Sequence, residues 1–235
     1  MCTVCHGFSR RRFCTAALAM PLWQGGRGLV EPALRMPPSS GRRVAVTLDA
    51  CPGHFDTRIA TAVVAHNIKV TVFVTAIWMR MNPQALAFLL AHPGVFNLQN
   101  HGARHLPPVL DGEPVYGLPV AATLPAIQAE VLDGAAAIVA AGAPRPSWYR
   151  AAAAVYSPQA VPFIEGLGFG IGGYALSADK GASLPAGEVA ARIAKARDGD
   201  VIIGHINQPR RSAGAGIAAG LVALQAAGAE FSWLT

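Results

Sequence analysis

Short runs of β-branched residues alternate with longer alanine-rich segments from residue 43 to the end of the chain. This alternation predicts strands joined by helices, which is typical of a parallel sheet. Residues 68–75 are β-branched almost throughout, as expected for a strand covered on both faces. Seven strands are predicted, at residues 43–49, 68–75, 95–100, 147–150, 168–173, 200–206 and 230–234. The fold class is therefore α/β, and a (β/α) barrel is favoured, although the number of strands also fits a doubly wound open sheet.

Helices are predicted between these strands from capping and breaking residues. One begins at Asn82 with Pro83 in its first position, where proline is tolerated. The longest, at residues 123–141, begins at Thr123 and ends before Gly142. The others are predicted at residues 56–66, 157–166, 187–197 and 215–227.

The amino-terminal 42 residues predict an export signal followed by a linker. Arginines 10 to 12 precede about 11 mostly apolar residues, which are too few to span a membrane but have the layout of a secretory signal. Residues 9–13 resemble a twin-arginine signal, so we expect a periplasmic protein without a transmembrane segment in its mature form. The Pro-, Gly- and Ser-rich stretch that follows, to residue 42, predicts a linker, and residues 43–235 form the predicted folded domain.

The net charge of +6 comes mainly from this amino-terminal segment. Residues 1–42 carry a net charge of +5, which leaves only +1 for residues 43–235. A nearly neutral domain lacks the basic surface expected of a nucleic-acid-binding protein. We therefore expect a neutral or weakly charged substrate and no nucleic-acid partner.

Of the four cysteines, only Cys51 lies in the predicted domain. Cys2 and Cys5, followed by His6, match a haem-attachment pattern, but they precede the arginines in a segment that we expect to be removed. Cys14 lies within the apolar part of the signal. With one cysteine in the domain no internal disulfide is possible there, and we interpret Cys51 as a small buried hydrophobic residue.

Polar residues follow several predicted strands at their carboxyl ends, where functional side chains gather in a parallel barrel. These residues are Asp49, His101, His105, Arg150, Asp179 and His205. A carboxylate at the end of a buried strand costs free energy unless it is paired, which predicts a partner for Asp49. His101 and His105 are four residues apart, so on a helical turn they would share one face and could bind one metal ion. Imidazole with a carboxylate is typical of zinc sites.

Four motifs in this order resemble those of the polysaccharide deacetylases, the NodB-type domain of carbohydrate esterase family 4: V-T-L-D at 46–49, H-G-A-R-H at 101–105, W-Y-R at 148–150 and I-I-G-H at 202–205. The resemblance covers residues 43–235. It implies a distorted (β/α) barrel that removes acetyl groups from N- or O-acetylated sugars with a divalent metal, most often zinc. Family members usually have T-F-D-D at the first motif, where the first Asp is the catalytic base and the second binds the metal with both histidines.

This chain departs from the family at Ala50, where the second carboxylate is missing. Two alternatives follow: Asp49 is the base while His101, His105 and water hold the metal, with Asp56 a further candidate nearby; or Asp49 itself binds the metal. The resemblance also implies a pair between Asp49 and Arg150.

The remaining roles implied by the resemblance fall on residues 148–205. The backbone N–H of Ala153 would bind the oxyanion, since R-A-A-A replaces the family's R-x-P-Y. Asp179 would orient His205, the expected catalytic acid. Trp148 and Tyr149 are candidates to bind the sugar, with core packing as their alternative.

The sequence thus predicts a metal-dependent polysaccharide deacetylase, a hydrolase acting on C–N bonds other than peptide bonds or on carboxylic esters. The loss of family residues leaves a second hypothesis, a catalytically silent relative that binds glycan or peptidoglycan. Hydrolysis of a small non-sugar amide is a third.

Overall fold

The computed structural model describes residues 28–234 and the backbone of residues 23–24. The predicted export signal, with Cys2, Cys5 and Cys14, lies outside the described residues. Within the described part of the chain, no helix is both long and apolar enough to cross a membrane.

A curled parallel sheet forms the centre of the fold, in the spatial order β7-β6-β5-β4-β3-β9-β8, with β10 beside the start of β3. Its strands are β3 (Arg43–Ala50), β4 (Val70–Val74), β5 (Phe96–Asn100), β6 (Trp148–Tyr149), β7 (Gly170–Ile171), β8 (Leu176–Ser177), β9 (Val201–His205) and β10 (Glu230–Ser232). Two short strands, β1 (Trp23–Gln24) and β2 (Val30–Glu31), pair antiparallel outside this sheet. The sheet has the shape of a half-barrel, which confirms the predicted distorted (β/α) barrel. In the described residues β7 and β8 are its two ends and do not pair.

Among the residues described, seven α-helices cover the sheet. They are α1 (Thr57–Ala65), α2 (Ala76–Met81), α3 (Pro83–Leu90), α4 (Leu124–Ala140), α5 (Ala160–Gly166), α6 (Ala186–Ile193) and α7 (Ala213–Ala226). Six of them overlap the predicted helices. The sequence did not predict α2, which begins directly after β4 with Thr75 as its N-cap.

The register of the central strands brings the predicted site residues to one edge. β3 and β4 are buried along nearly their whole length, because one face of these strands packs against helices and the other lies inside the half-barrel, where Leu34 and Met36 contact the cluster of Phe73. In the parallel ladders Asp49 lies directly opposite His205 of β9 and Phe73 of β4. The carboxyl ends of β3, β4 and β9 therefore form one mouth of the half-barrel.

Residues 30–36, within the predicted linker, lie against the domain. The backbone of Val30 exchanges two hydrogen bonds with Tyr156, and Met36 N–H donates to Gly199 at 2.8 Å. Val30 is only 3% exposed, and Leu34 packs on the cluster that contains Phe73. This segment thus covers part of the half-barrel far from its own place in the sequence.

Candidate functional site

Asp49 and Arg150 form a buried ion pair at the mouth of the half-barrel. Arg150 Nη1 donates to Asp49 Oδ1 at 2.8 Å, and both residues are almost fully buried. Arg150 also donates from Nε and Nη2 to the carbonyl oxygens of Gly172 and Gly173, and its guanidinium lies 4.2 Å from the centre of the Phe73 ring. These contacts satisfy the charge that the sequence placed at the end of β3.

The charges around Asp49 keep it ionised. Burial alone would raise the pKa of Asp49, but Arg150, His101 and His205 together outweigh burial and hold that pKa below its ordinary value. Asp49 Oδ2 lies 3.9 Å from His101 Nε2. An ionised carboxylate next to two imidazoles can accept a proton or bind a metal ion.

His101 and His105 come together, but not on a helix. Residues 101–105 form a loop, in which Gly102 and His105 have left-handed φ angles of 90° and 65°. The expected helical turn is therefore wrong: the side chain of Asn100 accepts a hydrogen bond from Gly102 N–H and bends the chain at once after β5. The two rings still lie with their centres 4.9 Å apart.

Glu130 of α4 supports this loop, and sequence reasoning missed it. Its buried carboxylate accepts hydrogen bonds from the backbone N–H groups of Arg104 and Leu106, at 2.9 and 3.2 Å. Gly134, one turn further along α4, lets the helix approach so closely that a Cβ there would lie 2.4 Å from Asn100 Oδ1. A buried Glu inside an amphipathic helix was the available signal, because buried carboxylates need partners.

Cys51 is the second residue that sequence reasoning missed. The interpretation as a plain hydrophobic residue does not fit its surroundings, because its Sγ lies 3.4 Å from His101 Nε2. One ligand atom from each of Cys51, His101 and His105 lies within 4.8 Å of the other two. Burial alone would raise the pKa of the thiol, but the imidazoles of His101, His105 and His205 lower it well below its ordinary value.

His205 and Asp179 form a hydrogen-bonded pair on the neighbouring strand. Asp179 is fully buried, and its carboxylate accepts from the His205 backbone N–H at 2.8 Å and lies 3.0 Å from Nδ1. Burial alone would lower the pKa of His205, but the contacts with Asp179 and Cys51 raise it well above the ordinary value. Such an imidazole carries a proton and is held in one orientation.

The other candidates are Ala153, Trp148 and Tyr149. Ala153 is exposed in a short 3-10 turn and has a left-handed φ of 57°. Tyr149 is 1% exposed and packs against Tyr156, while Trp148 is partly buried against Phe73 and its neighbours. This placement makes Tyr149 part of the core and argues against a role in sugar binding.

Two positions near the end of β3 do not supply ligands. Ala50 is fully buried in the main apolar cluster. Asp56, considered as a nearby carboxylate, is instead the N-cap of α1 and is paired with the side chain of Arg58. The family carboxylate missing at Ala50 is therefore not replaced by Asp56.

The donor atoms fit a divalent metal. His101 Nδ1 lies 2.8 Å from the carbonyl oxygen of Arg150, which leaves Nε2 directed at the cluster, as is usual for metal-binding histidines. His105 Nε2 is buried and has no hydrogen-bond partner among the described residues. A buried ring nitrogen without a partner costs free energy that a metal ion would offset.

A family model described as polysaccharide deacetylase matches residues 37–171. No curated protein sequence matches the chain significantly. The fold is shared with solved structures, among them three of carbohydrate esterase family 4. A family 4 carbohydrate esterase from Streptomyces lividans in complex with acetate has 16% identity and a TM-score of 0.67, and the match covers 83% of this chain and 94% of that one. PdaA of Bacillus subtilis, another family 4 carbohydrate esterase, has 15% identity, a TM-score of 0.68 and coverage of 86% and 82%.

A family 4 pseudoenzyme from Bacillus anthracis has 15% identity and a TM-score of 0.66 over 84% of this chain. The match spans 65% of that pseudoenzyme's own length. At these identities the three structures establish the fold, while the family model covers more than half of the chain. The chain therefore belongs to the polysaccharide deacetylase family, within the fold of carbohydrate esterase family 4.

Proposed function

We propose that this protein is a metal-dependent hydrolase that removes acetyl groups from an N- or O-acetylated carbohydrate. One observation carries the proposal: the ionised Asp49, held by Arg150, lies across the ladder from the His205–Asp179 pair and beside His101, whose ring in turn lies beside that of His105. A base, an acid and two metal-binding imidazoles thus share one mouth. The family gives the reaction, the hydrolysis of an acetyl amide or ester.

His101 and His105 would hold the metal, with Asp49 beside them. When bound, a divalent metal, for which we propose zinc, polarises the acetyl carbonyl and makes water more acidic. Asp49, which Arg150 keeps ionised, is the group that accepts the proton of the attacking water. His205, protonated and oriented by Asp179, gives its proton to the departing amine or alcohol. The backbone N–H of Ala153 is the proposed further donor to the oxyanion.

The substrate and the location belong to the same proposal. The almost neutral domain suits an uncharged acetylated glycan. The basic and apolar order of residues 9–23 supports export to the periplasm by a twin-arginine signal.

The test is acetate release by the full-length, zinc-loaded protein. Substrates are acetylated chito-oligosaccharides, acetylated xylan, peptidoglycan fragments and a small non-sugar amide. His101→Ala and His205→Ala should each lower the rate by at least about 100-fold. His66→Ala, an exposed histidine at the end of α1, should have no effect. Acetate release that persists in His101→Ala would overturn the proposal, and release from the amide alone would replace the sugar substrate.

The second candidate is a catalytically silent glycan-binding protein. Ala50 favours it, because the position of the family's metal-binding carboxylate is a buried methyl group. A pseudoenzyme also shares this fold. This candidate predicts saturable binding of peptidoglycan fragments, measured by calorimetry, with no acetate released. Release that depends on His205 would exclude it.

A further inference from the structure

The thiol of Cys51 lies where the site lacks a third protein ligand. β3 ends at Ala50, whose side chain points into the core, and Cys51 is the next residue. Sγ is 3.4 Å from His101 Nε2. Zinc–sulfur and zinc–nitrogen bonds of about 2.3 and 2.0 Å in a tetrahedral site place the two ligand atoms about 3.5 Å apart. The observed distance between Cys51 Sγ and His101 Nε2 is therefore close to that of two ligands sharing one ion.

The loop after Cys51 is held in place by close backbone contacts. Gly53 has a φ of 156°, and a Cβ there would lie 2.7 Å from the carbonyl oxygen of Asn207. Asn82 Nδ2 donates to the Gly53 carbonyl at 2.9 Å. The segment that carries the thiol is thus fixed against the strand end that carries His205.

The opposite side of the cluster is also preorganised. His101 is oriented by the Arg150 carbonyl, and the loop of His105 is held by Glu130. His105 Nε2 is buried without a hydrogen-bond partner in the described part of the chain. Two imidazole nitrogens and one sulfur are then available, which is the donor set of a catalytic site with an open fourth position.

We propose that Cys51 is the third protein ligand of the metal site, so that a Cys–His–His set replaces the carboxylate–His–His set of the family. Thiolate favours zinc and other borderline or soft ions, such as Co²⁺ and Cd²⁺, over Mg²⁺ and Mn²⁺. The shift of the ligand from position 50 to position 51 leaves Asp49, already bound to Arg150, as the base. This inference rests on the metal site of the proposed function but not on its deacetylase activity.

The test is the absorption spectrum of the Co²⁺-loaded full-length protein. Replacing Cys2, Cys5 and Cys14 by Ser leaves Cys51 as the only thiol. We expect a near-ultraviolet thiolate-to-cobalt charge-transfer band whose intensity saturates at one Co²⁺ per chain. Cys51→Ser in this background should lose the band and bind zinc at least about 100-fold more weakly, while Cys51→Asp should keep zinc but not the band.

Co²⁺ bound at one per chain without the band would overturn the inference, and so would an unchanged zinc affinity in Cys51→Ser. The inference would also be overturned if the background protein, in which Cys2, Cys5 and Cys14 are replaced by Ser, bound neither Co²⁺ nor zinc. Circular dichroism checks that the variants fold. If Cys51→Ser does not fold, the rate of iodoacetamide alkylation of the background protein decides: zinc should slow it at least tenfold, and an equal rate with and without zinc contradicts the inference. A charge-transfer band without acetate release would keep the thiolate ligand and reject only the deacetylase activity.

Discussion

At the scale of single residues, Asp49 and Arg150 stabilise the fold mainly because each prevents the other from being an isolated buried charge. Their mutual attraction contributes less. Removing one partner from a buried ion pair leaves the other charge without compensation, which typically costs about 3–5 kcal/mol. Here three further contacts of the guanidinium would also be lost. Arg150 therefore serves the core as well as the site.

Arg150→Met should lower the free energy of unfolding by about 3–5 kcal/mol, measured by urea denaturation at neutral pH. Arg145→Met is the matched control, because Arg145 is exposed and contacts only the face of Phe169 among the interactions described. The double variant Asp49→Asn with Arg150→Met should recover part of the loss. Equal unfolding of Arg150→Met and the wild type would contradict this account.

The sequence predicted those candidate residues that belong to motifs, and the structure brings them to one edge. Asp49, His101, His105, Arg150 and His205 lie at or just after the carboxyl ends of strands, and these ends meet at the same edge of a parallel sheet. Cys51 was missed because a single cysteine has no pattern, and its partners lie about 50 residues away in the sequence. Whether it is a core residue or a ligand depends on the loop geometry after β5, which a linear pattern does not contain.

At the scale of elements, α4 and the loop after β5 form one unit. Glu130 accepts from two backbone N–H groups of the loop, and Gly134 gives the helix its close approach to Asn100. The sequence predicted α4 from its caps and length. It did not predict α2 or β8, which have only six and two residues. Elements this short depend on tertiary contacts more than on their own periodicity.

Glu130→Ala should leave two backbone N–H groups without acceptors and lower the free energy of unfolding by about 1–3 kcal/mol. It should also weaken zinc binding roughly tenfold, because His105 loses its support. Glu130→Gln keeps an acceptor oxygen and should restore most of both properties. Glu165→Ala, an exposed carboxylate on α5, is the control. Calorimetry with zinc measures the affinity, and full affinity in Glu130→Ala would refute the positioning role.

At the scale of the whole molecule, the amino-terminal segment is joined to residues more than 100 positions away. Asp198, before β9, accepts hydrogen bonds from Ser39 N–H and Oγ–H and from Arg43 N–H. These bonds lower the pKa of Asp198 to about 2 from an ordinary value of 3.8. Because the pKa is lower in the folded state, ionised Asp198 contributes stability above pH 3.8, and that contribution is lost as the pH falls through about 2.

Asp198→Asn should therefore lower the melting temperature at pH 5–7, and its difference from the wild type should shrink as the pH falls toward about 2. Thermal unfolding followed by circular dichroism at several pH values measures this. Asp133→Asn, an exposed aspartate on α4, provides the comparison. A difference that stays constant with pH would show that the hydrogen bonds to ionised Asp198 are not its source.

The order of strands in the sheet also affects how the chain folds while it is being synthesised. β3 is made before both strands that pair with one of its edges, because β9 begins at Val201 and β10 at Glu230. Until β9 has been made, the central strand therefore has an open edge of backbone donors and acceptors, the kind of edge that joins other chains. Its partner is made about 150 residues after β3, so the central sheet, and the mouth that it carries, can be completed only after a long delay during synthesis.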